Sequence, residues 1–278
     1  MTAALYIVAT PIGHLDDISH RAVQVLAAVD YIAAEDTRHS ARLLQHYAIQ
    51  TPMLAYHEHA GEAQAEKLLT LLQQGKSIAL ISDAGTPLIS DPGYRLVKDA
   101  HALGITVVPV PGASAVIAAL SVCGLATDHF SFEGFLPAKA KARQDVLNSL
   151  ATAERTLVFY EAPHRIVECL ENMCASFGEG RRICLARELT KTFETIRQLP
   201  LVEMLAWVVE DANQQRGEIV LIVEGAKAVK AETITEEAQK LSALLLDALP
   251  PKQVSKIVAE YCQLPKKQVY EYLLSLKN

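Results

Sequence analysis

Leu80-Ile81-Ser82-Asp83-Ala84-Gly85-Thr86-Pro87-Leu88-Ile89-Ser90-Asp91-Pro92-Gly93 decides how the rest of the chain is read. An apolar run from Ser77 to Ile81 leads into it, and a helical pattern from Tyr94 to Ala102 leaves it. Two glycines, two prolines and two aspartates stand between them. Such a composition is costly in chain entropy unless the backbone must turn sharply or approach something closely. Loops of this kind sit at the carboxyl ends of strands in open α/β sheets, where ligands bind. A strand-to-helix turn capped by aspartates is the simpler explanation of this segment alone.

Working outward, the same arrangement recurs. Leu5 to Ala9 reads as a buried strand broken by Thr10-Pro11-Ile12-Gly13, with Asp16 or Asp17 capping a helix from Ile18 to Ala28. Tyr31 to Ala34 is a strand ending in Glu35-Asp36-Thr37-Arg38-His39, followed by a helix from about Ser40 to Tyr47. A short strand at Met53–Ala55 and a helix from Glu62 to Gln73, closed at Gly75, precede the central segment. Ile105 to Val110 is broken by Pro111-Gly112-Ala113-Ser114 before a small-residue helix ending at Val122. Strands alternating with helices predict a parallel α/β sheet over 1–123.

A second α/β block is expected over 124–228. Its strands are Phe130–Gly134, Leu157–Tyr160, Ile183–Arg187 and Ile219–Val223; its helices lie near Arg143–Leu150, His164–Ser176 and Leu201–Val209. The polar stretch Lys227 to Thr235 reads as a linker. Residues 229–278 carry three helical patterns, Glu236–Ala248, Lys252–Tyr261 and Lys266–Leu276, with a tight second turn like that of a helix-turn-helix unit.

With 278 residues, half of them hydrophobic, the chain has material for two domains and an appendage. The net charge of -6 supplies no general attraction for nucleic acid, so any such contact must be local. From Lys252 onward five lysines (252, 256, 266, 267 and 277) face two acids, Glu260 and Glu271, and Lys139, Lys141 and Arg143 form a basic knuckle. Both suit phosphate contact; both are also ordinary for a solvated helix face. The five cysteines are odd in number and without a C-x-x-C spacing, which points to reduced thiols in the cytoplasm. No secretory leader or membrane span is expected.

Several familiar chemistries are poorly supported. There is no P-loop lysine motif, no G-x-G-x-x-G and no G-x-S-x-G around Ser114, which reads as a helix cap or a ligand contact. His57-Glu58-His59 offers two alternating imidazoles without a third ligand at usual spacing, so no metal is expected. Asp36 or His57 would each serve as a general base or as an ordinary capping or pairing group.

Taken together, Thr10 to Ile18, Ala34 to His39, Ser82 to Gly93 and Pro111-Gly112 resemble one family closely. Phe132 to Pro137, Phe159-Tyr160-Glu161, Ala186 to Lys191 and Gly217-Glu218 extend the likeness over nearly the whole chain. It is the ribosomal RNA small subunit methyltransferase I group of the tetrapyrrole methylase superfamily. The resemblance implies two α/β domains with S-adenosylmethionine in the cleft between them. It also implies 2′-O-methylation of a cytidine ribose in 16S rRNA of the 30S subunit, at the decoding centre, by a homodimer. The first loop, Thr10-Pro11-Ile12-Gly13, departs from the glycine-rich loop of relatives that methylate tetrapyrroles or corrins, and favours the RNA branch over that alternative.

Carried over by position, donor contacts would come from Ile12, Asp83, Gly85, Thr86, Ile89, Ser114, Ala115, Glu161 and Gly217. Thr86 stands where the superfamily has an aspartate, which leaves open whether Asp83 or Thr86 meets the ligand's polar groups. For catalysis, the clustering at strand ends points to Asp36 or Glu35 as proton acceptor. Arg38 and Lys191 would hold phosphate or emerging charge.

Overall fold

The structure, a computed structural model, describes residues 2–57, 61–227, 234–262 and 264–276. It forms two compact units, Met1–Ala226 and Lys227–Asn278. The first holds two five-stranded sheets.

The first sheet contains β1 (Leu5–Val8), β2 (Tyr31–Ala34), β3 (Met53–Ala55), β4 (Ile78–Ile81) and β5 (Val107–Val110), in the order β3-β2-β4-β1-β5. Every pairing is parallel. Ile78, Ala79, Leu80 and Ile81 are all buried because helices cover both faces. Leu5, Ile78 and Leu80 pack on one side with Leu68 and Leu96; Tyr6, Val8, Ala79 and Ile81 pack on the other with Val25 and Leu26. These contacts come from α1 (His20–Ala28), α3 (Gly61–Gln73) and α4 (Tyr94–Ala102).

The second sheet contains β6 (Phe130–Phe135), β7 (Thr156–Glu161), β8 (Arg182–Arg187), β9 (Thr195–Pro200) and β10 (Ile219–Val223), in the order β6-β7-β10-β8-β9. Only β6 and β7 are parallel; β10 runs antiparallel to β7 and to β8, and β9 antiparallel to β8. Leu157 and Phe159 point into the core beneath α7 (Ile166–Phe177) and α8 (Leu201–Glu210). Val158, Cys184 and Ile222 face α5 (Ala115–Val122) on the opposite side, the period of two expected of strands. Each fully buried side chain of this size contributes about 1.5–3 kcal/mol.

Local differences from the sequence reading have plain causes. Neither Asp16 nor Asp17 caps α1; they lie in a 3-10 turn, and Ser19 accepts the Ala22 N–H instead. The helix α2 begins at Thr37 rather than Ser40 and runs to His46, because Asp36 caps it. β9 has no counterpart in the sequence reading: it is an edge strand, and Thr195, Arg197 and Gln198 mask its alternation. Arg143 is not part of a surface basic knuckle. It is 1% exposed within α6 (Ala140–Leu150), with Nε donating to Asn172 Oδ1 at 2.6 Å and a terminal nitrogen to Glu168 at 3.0 Å.

The second unit has α9 (Glu236–Leu246), α10 (Pro251–Tyr261) and α11 (Lys266–Ser275) around Ala238, Val254, Val258, Leu264, Val269 and Leu273. Lys252, Lys256, Lys266 and Lys267 are exposed on it. Lys277 and most of the expected linker lie outside the described residues, as do Glu58 and His59 of the histidine pair; His57 is exposed.

Candidate active site

Parallel strands deliver their following loops to one edge of the first sheet. The loops after β1 and β4 are tied there by an antiparallel bridge: Thr10 N donates to Gly85 O at 2.9 Å and Gly85 N to Thr10 O at 3.0 Å. Leu88 and Ser90 in the central loop have φ of 74° and 63°, a left-handed conformation that costs roughly 1–2 kcal/mol per residue. Glu188 (50°) and Thr190 (63°), in the loop after β8, share it. Four of the five non-glycine residues with positive φ among those described therefore lie in two loops that face the same space.

The second sheet reaches this space because β10 is reversed. Its first residue, Ile219, pairs with Glu161 and Arg187, the last residues of β7 and β8. Gly217 and Glu218 thus meet loops that leave the other two strands. Glu188 N donates to Glu218 O at 2.9 Å, and Glu218 N returns a bond to Glu188 Oε1 at 2.8 Å. Gly217 has φ +79°, a left-handed conformation that favours glycine, and a Cβ there would fall 2.5 Å from the Glu188 side chain and push it from its bond to Glu218 N. Lys191 Nζ lies 3.0 Å from Glu188 Oε1 and 3.1 Å from Glu218 Oε2. Burial alone would lower the Lys191 pKa; its two carboxylate partners outweigh that and hold it above the ordinary value. The lysine is an ammonium group at neutral pH.

Two cavities open at this edge. The first, about 400 Å³, is lined by Ile12, Gly85, Thr86, Ile89, Ser114, Ala115, Glu161 and Gly217, together with Ser90, Asp91, Tyr160 and Glu218. Eight of the nine residues expected to touch the donor therefore surround one space. Asp83 lines the adjoining cavity instead, where its Oδ1 accepts the Asp36 N–H at 3.1 Å. Thr86 Oγ1 donates to Ala113 O at 3.0 Å and so fixes the loop before α5. Ser114 stands at the N-cap of α5, yet its hydroxyl makes no capping bond. Glu161 is buried; Oε1 accepts from Ala162 N and lies 3.2 Å from Arg165 Nε, while Oε2 has no hydrogen-bond partner. Burial raises the Asp91 carboxyl, and burial followed by the charge of Asp91 pushes Tyr160 up to about 12.

The second cavity, about 490 Å³, is lined by Pro11, Gly13, His39, Ser40, Arg42, Asp83 and Lys191 among others, and shares Ile12, Ala84 and Glu218 with the first. Of the four residues expected in catalysis, Lys191 alone lines either of these two cavities. Asp36 Oδ1 accepts the N–H groups of Arg38 (2.8 Å) and His39 (3.3 Å), which lower its pKa. The Arg38 side chain is 92% exposed, and Glu35 lies with Asp36 at the end of β2 outside both linings. Among the described residues no group of three His, Cys, Asp or Glu is placed to hold a metal ion, and no helix is long and apolar enough to cross a membrane. The sequence reading does not single out Glu218 as a site residue. Its motif, Gly217-Glu218, is visible in the chain, but only the antiparallel register brings its carboxylate to Lys191.

Fold and site together define a methylase of the tetrapyrrole type. Residues 4–205 match the family described as Tetrapyrrole (Corrin/Porphyrin) Methylases, and residues 232–277 match the RsmI C-terminal HTH domain. The crystal structure of the methyltransferase CobJ superposes with a TM-score of 0.61 at 18% identity, covering 80% of this chain and 94% of that one, a likeness of fold. The ribosomal RNA small subunit methyltransferase I of Pseudomonas aeruginosa is 55% identical, covering 97% of this chain and 96% of its own. That of Escherichia coli O157:H7 is 53% identical, covering 97% and 94%. The chain belongs to the ribosomal RNA small subunit methyltransferase I family.

Proposed function

We propose that this protein transfers the methyl group of S-adenosylmethionine to the ribose 2′-hydroxyl of a cytidine in 16S rRNA of the small ribosomal subunit. The observation that carries the proposal is the pair of adjoining cavities. One gathers the residues expected to hold the donor; its neighbour has lysine, arginine and histidine in its wall. The names of the relatives and the helical tail support an RNA substrate over a tetrapyrrole or corrin. The exposed lysines of 229–278 would hold phosphate.

The residues of the first cavity fit such a donor. Apolar Ile12, Ile89 and Ala115 suit an adenosine, and Thr86, Ser90 and Ser114 bring hydroxyl groups to the same wall. Bound there, S-adenosylmethionine supplies an already activated methyl group. The chain's own residues need only align the hydroxyl and accept its proton. Asp36 contributes through its backbone N–H, which orients Asp83, and Arg38 through phosphate contact at the rim. We assign the two lobes that carry the cavities to the expected domains 1–123 and 124–228, and the assembly to a cytoplasmic homodimer; an odd number of cysteines without a C-x-x-C spacing agrees with a reducing compartment.

Radiolabelled methyl transfer to 30S subunits, free 16S rRNA and a corrin precursor tests the reading. Label is expected in 30S subunits, released as 2′-O-methylcytidine on nucleoside digestion. Label on the corrin, or on a base rather than a ribose, would overturn it.

A further inference from the structure

Resting on that reading, we infer that the second cavity receives the target nucleoside and that Glu218 accepts the hydrogen bond of its 2′-hydroxyl. A methyl group moving between neighbouring cavities must cross where their walls coincide. Only Ile12, Ala84 and Glu218 belong to both linings. Glu218 is the one titratable group of the three. Asp91 and Glu161 line only the donor cavity, and Asp83 lines only the other. Lys191 fixes the Glu218 carboxylate from the nucleoside side at 3.1 Å, while the Glu218 backbone N–H is anchored to Glu188. An ionised carboxylate bound once by an ammonium group keeps lone pairs for a further donor.

The remaining wall also fits a nucleoside. Ser40 is 3% exposed, lines the cavity and has a hydroxyl without any hydrogen-bond partner. A buried polar atom of this kind marks a place where a ligand group completes the bonding. His39 and Arg42 are exposed on the same wall, within the same helix α2, and supply donors for a phosphate or a base edge. In the transfer, the 2′-oxygen bonds to the methyl carbon as the carbon–sulfur bond breaks, its electron pair staying on sulfur. The hydroxyl proton passes to the Glu218 carboxylate and from there to water.

The test is Glu218→Gln beside the wild type in single-turnover transfer to 30S subunits, with calorimetric titration of S-adenosylmethionine and a 30S binding assay. The Glu218 side chain is 72% exposed and Lys191 keeps its Glu188 partner, so the variant is expected to fold, which its thermal midpoint checks. The expected result is a rate about 100-fold lower, the usual worth of one proton acceptor, with both affinities within about two-fold of wild type. A wild-type rate in the variant, or an equal loss in donor affinity, would overturn the role of Glu218 while leaving the proposed function standing. Absence of transfer by the wild type would instead overturn the function and this inference with it.

Discussion

At the scale of single residues, Gly13 sits against the 188–194 loop with no room for a side chain. A Cβ there would lie 2.5 Å from Lys191 Cγ, 2.6 Å from Thr190 Oγ1 and 2.9 Å from Leu189 O. The two side-chain atoms can rotate aside, but the carbonyl belongs to the backbone of an already strained loop. Gly13→Ala should therefore push the 188–194 loop outward, cost about 1–3 kcal/mol in urea unfolding, and slow methyl transfer by about tenfold or more. Gly75→Ala is the control. Gly75 has φ +83° with nothing within 4 Å of a Cβ, so about 1 kcal/mol of stability is lost and transfer is unchanged. Equal activity in both variants would show that the loop does not need its present position. None of this crowding is visible in Thr10-Pro11-Ile12-Gly13 as a string, because its partners are far along the chain; His14 N donates to Thr190 Oγ1 across a separation of 176 positions.

At the scale of elements, the starts of β2 and β4 are pinned by Asp30. Its Oδ2 accepts from Ser77 N and Ser77 Oγ, each at 2.8 Å, and its Oδ1 from Lys76 Nζ at 3.1 Å. The Ser77 backbone and hydroxyl donors, then Lys76, hold the carboxyl well below its ordinary value of 3.8. A depressed folded-state pKa contributes stability that is complete above the unfolded value and lost as pH falls through the folded one. Asp30→Asn should accordingly be less stable than wild type in urea at pH 7, with the gap closing as the pH drops below 3.8. A gap that stays constant to low pH would mean the ionised form is not what matters. The strands that Asp30 organises were legible because parallel strands buried on both faces read as unbroken apolar runs, as Ile78–Ile81 does. The edge strand Thr195–Pro200 was not legible, since half-exposed strands tolerate the polar residues that also build loops.

At the scale of the whole molecule, charge is the telling quantity. The chain carries -6 overall, yet Lys252, Lys256, Lys266 and Lys267 are exposed on one three-helix unit with its own apolar core. Binding that uses phosphates releases counterions and weakens steeply with salt. Replacing the four lysines by alanine should weaken 30S binding and make its log–log salt slope shallower by about 0.7–0.9 for each phosphate no longer neutralised. Donor affinity, which we propose to lie with the cavity of the first unit, should not change. An unaltered slope would assign these lysines to solvent.

The sequence by itself determined where the strands lie and which loops at their ends are polar. Apolar periodicity placed the strands, and loop composition marked the polar clusters at their ends, because both are local properties written in neighbouring side chains. The tertiary structure decided which clusters meet. Asp36 became the cap of α2, and Glu218 became the neighbour of Lys191 only because β10 runs antiparallel to β7 and β8 and returns its first residues to the edge where theirs end. Strand direction is set by packing among distant segments, and no stretch of chain encodes it alone.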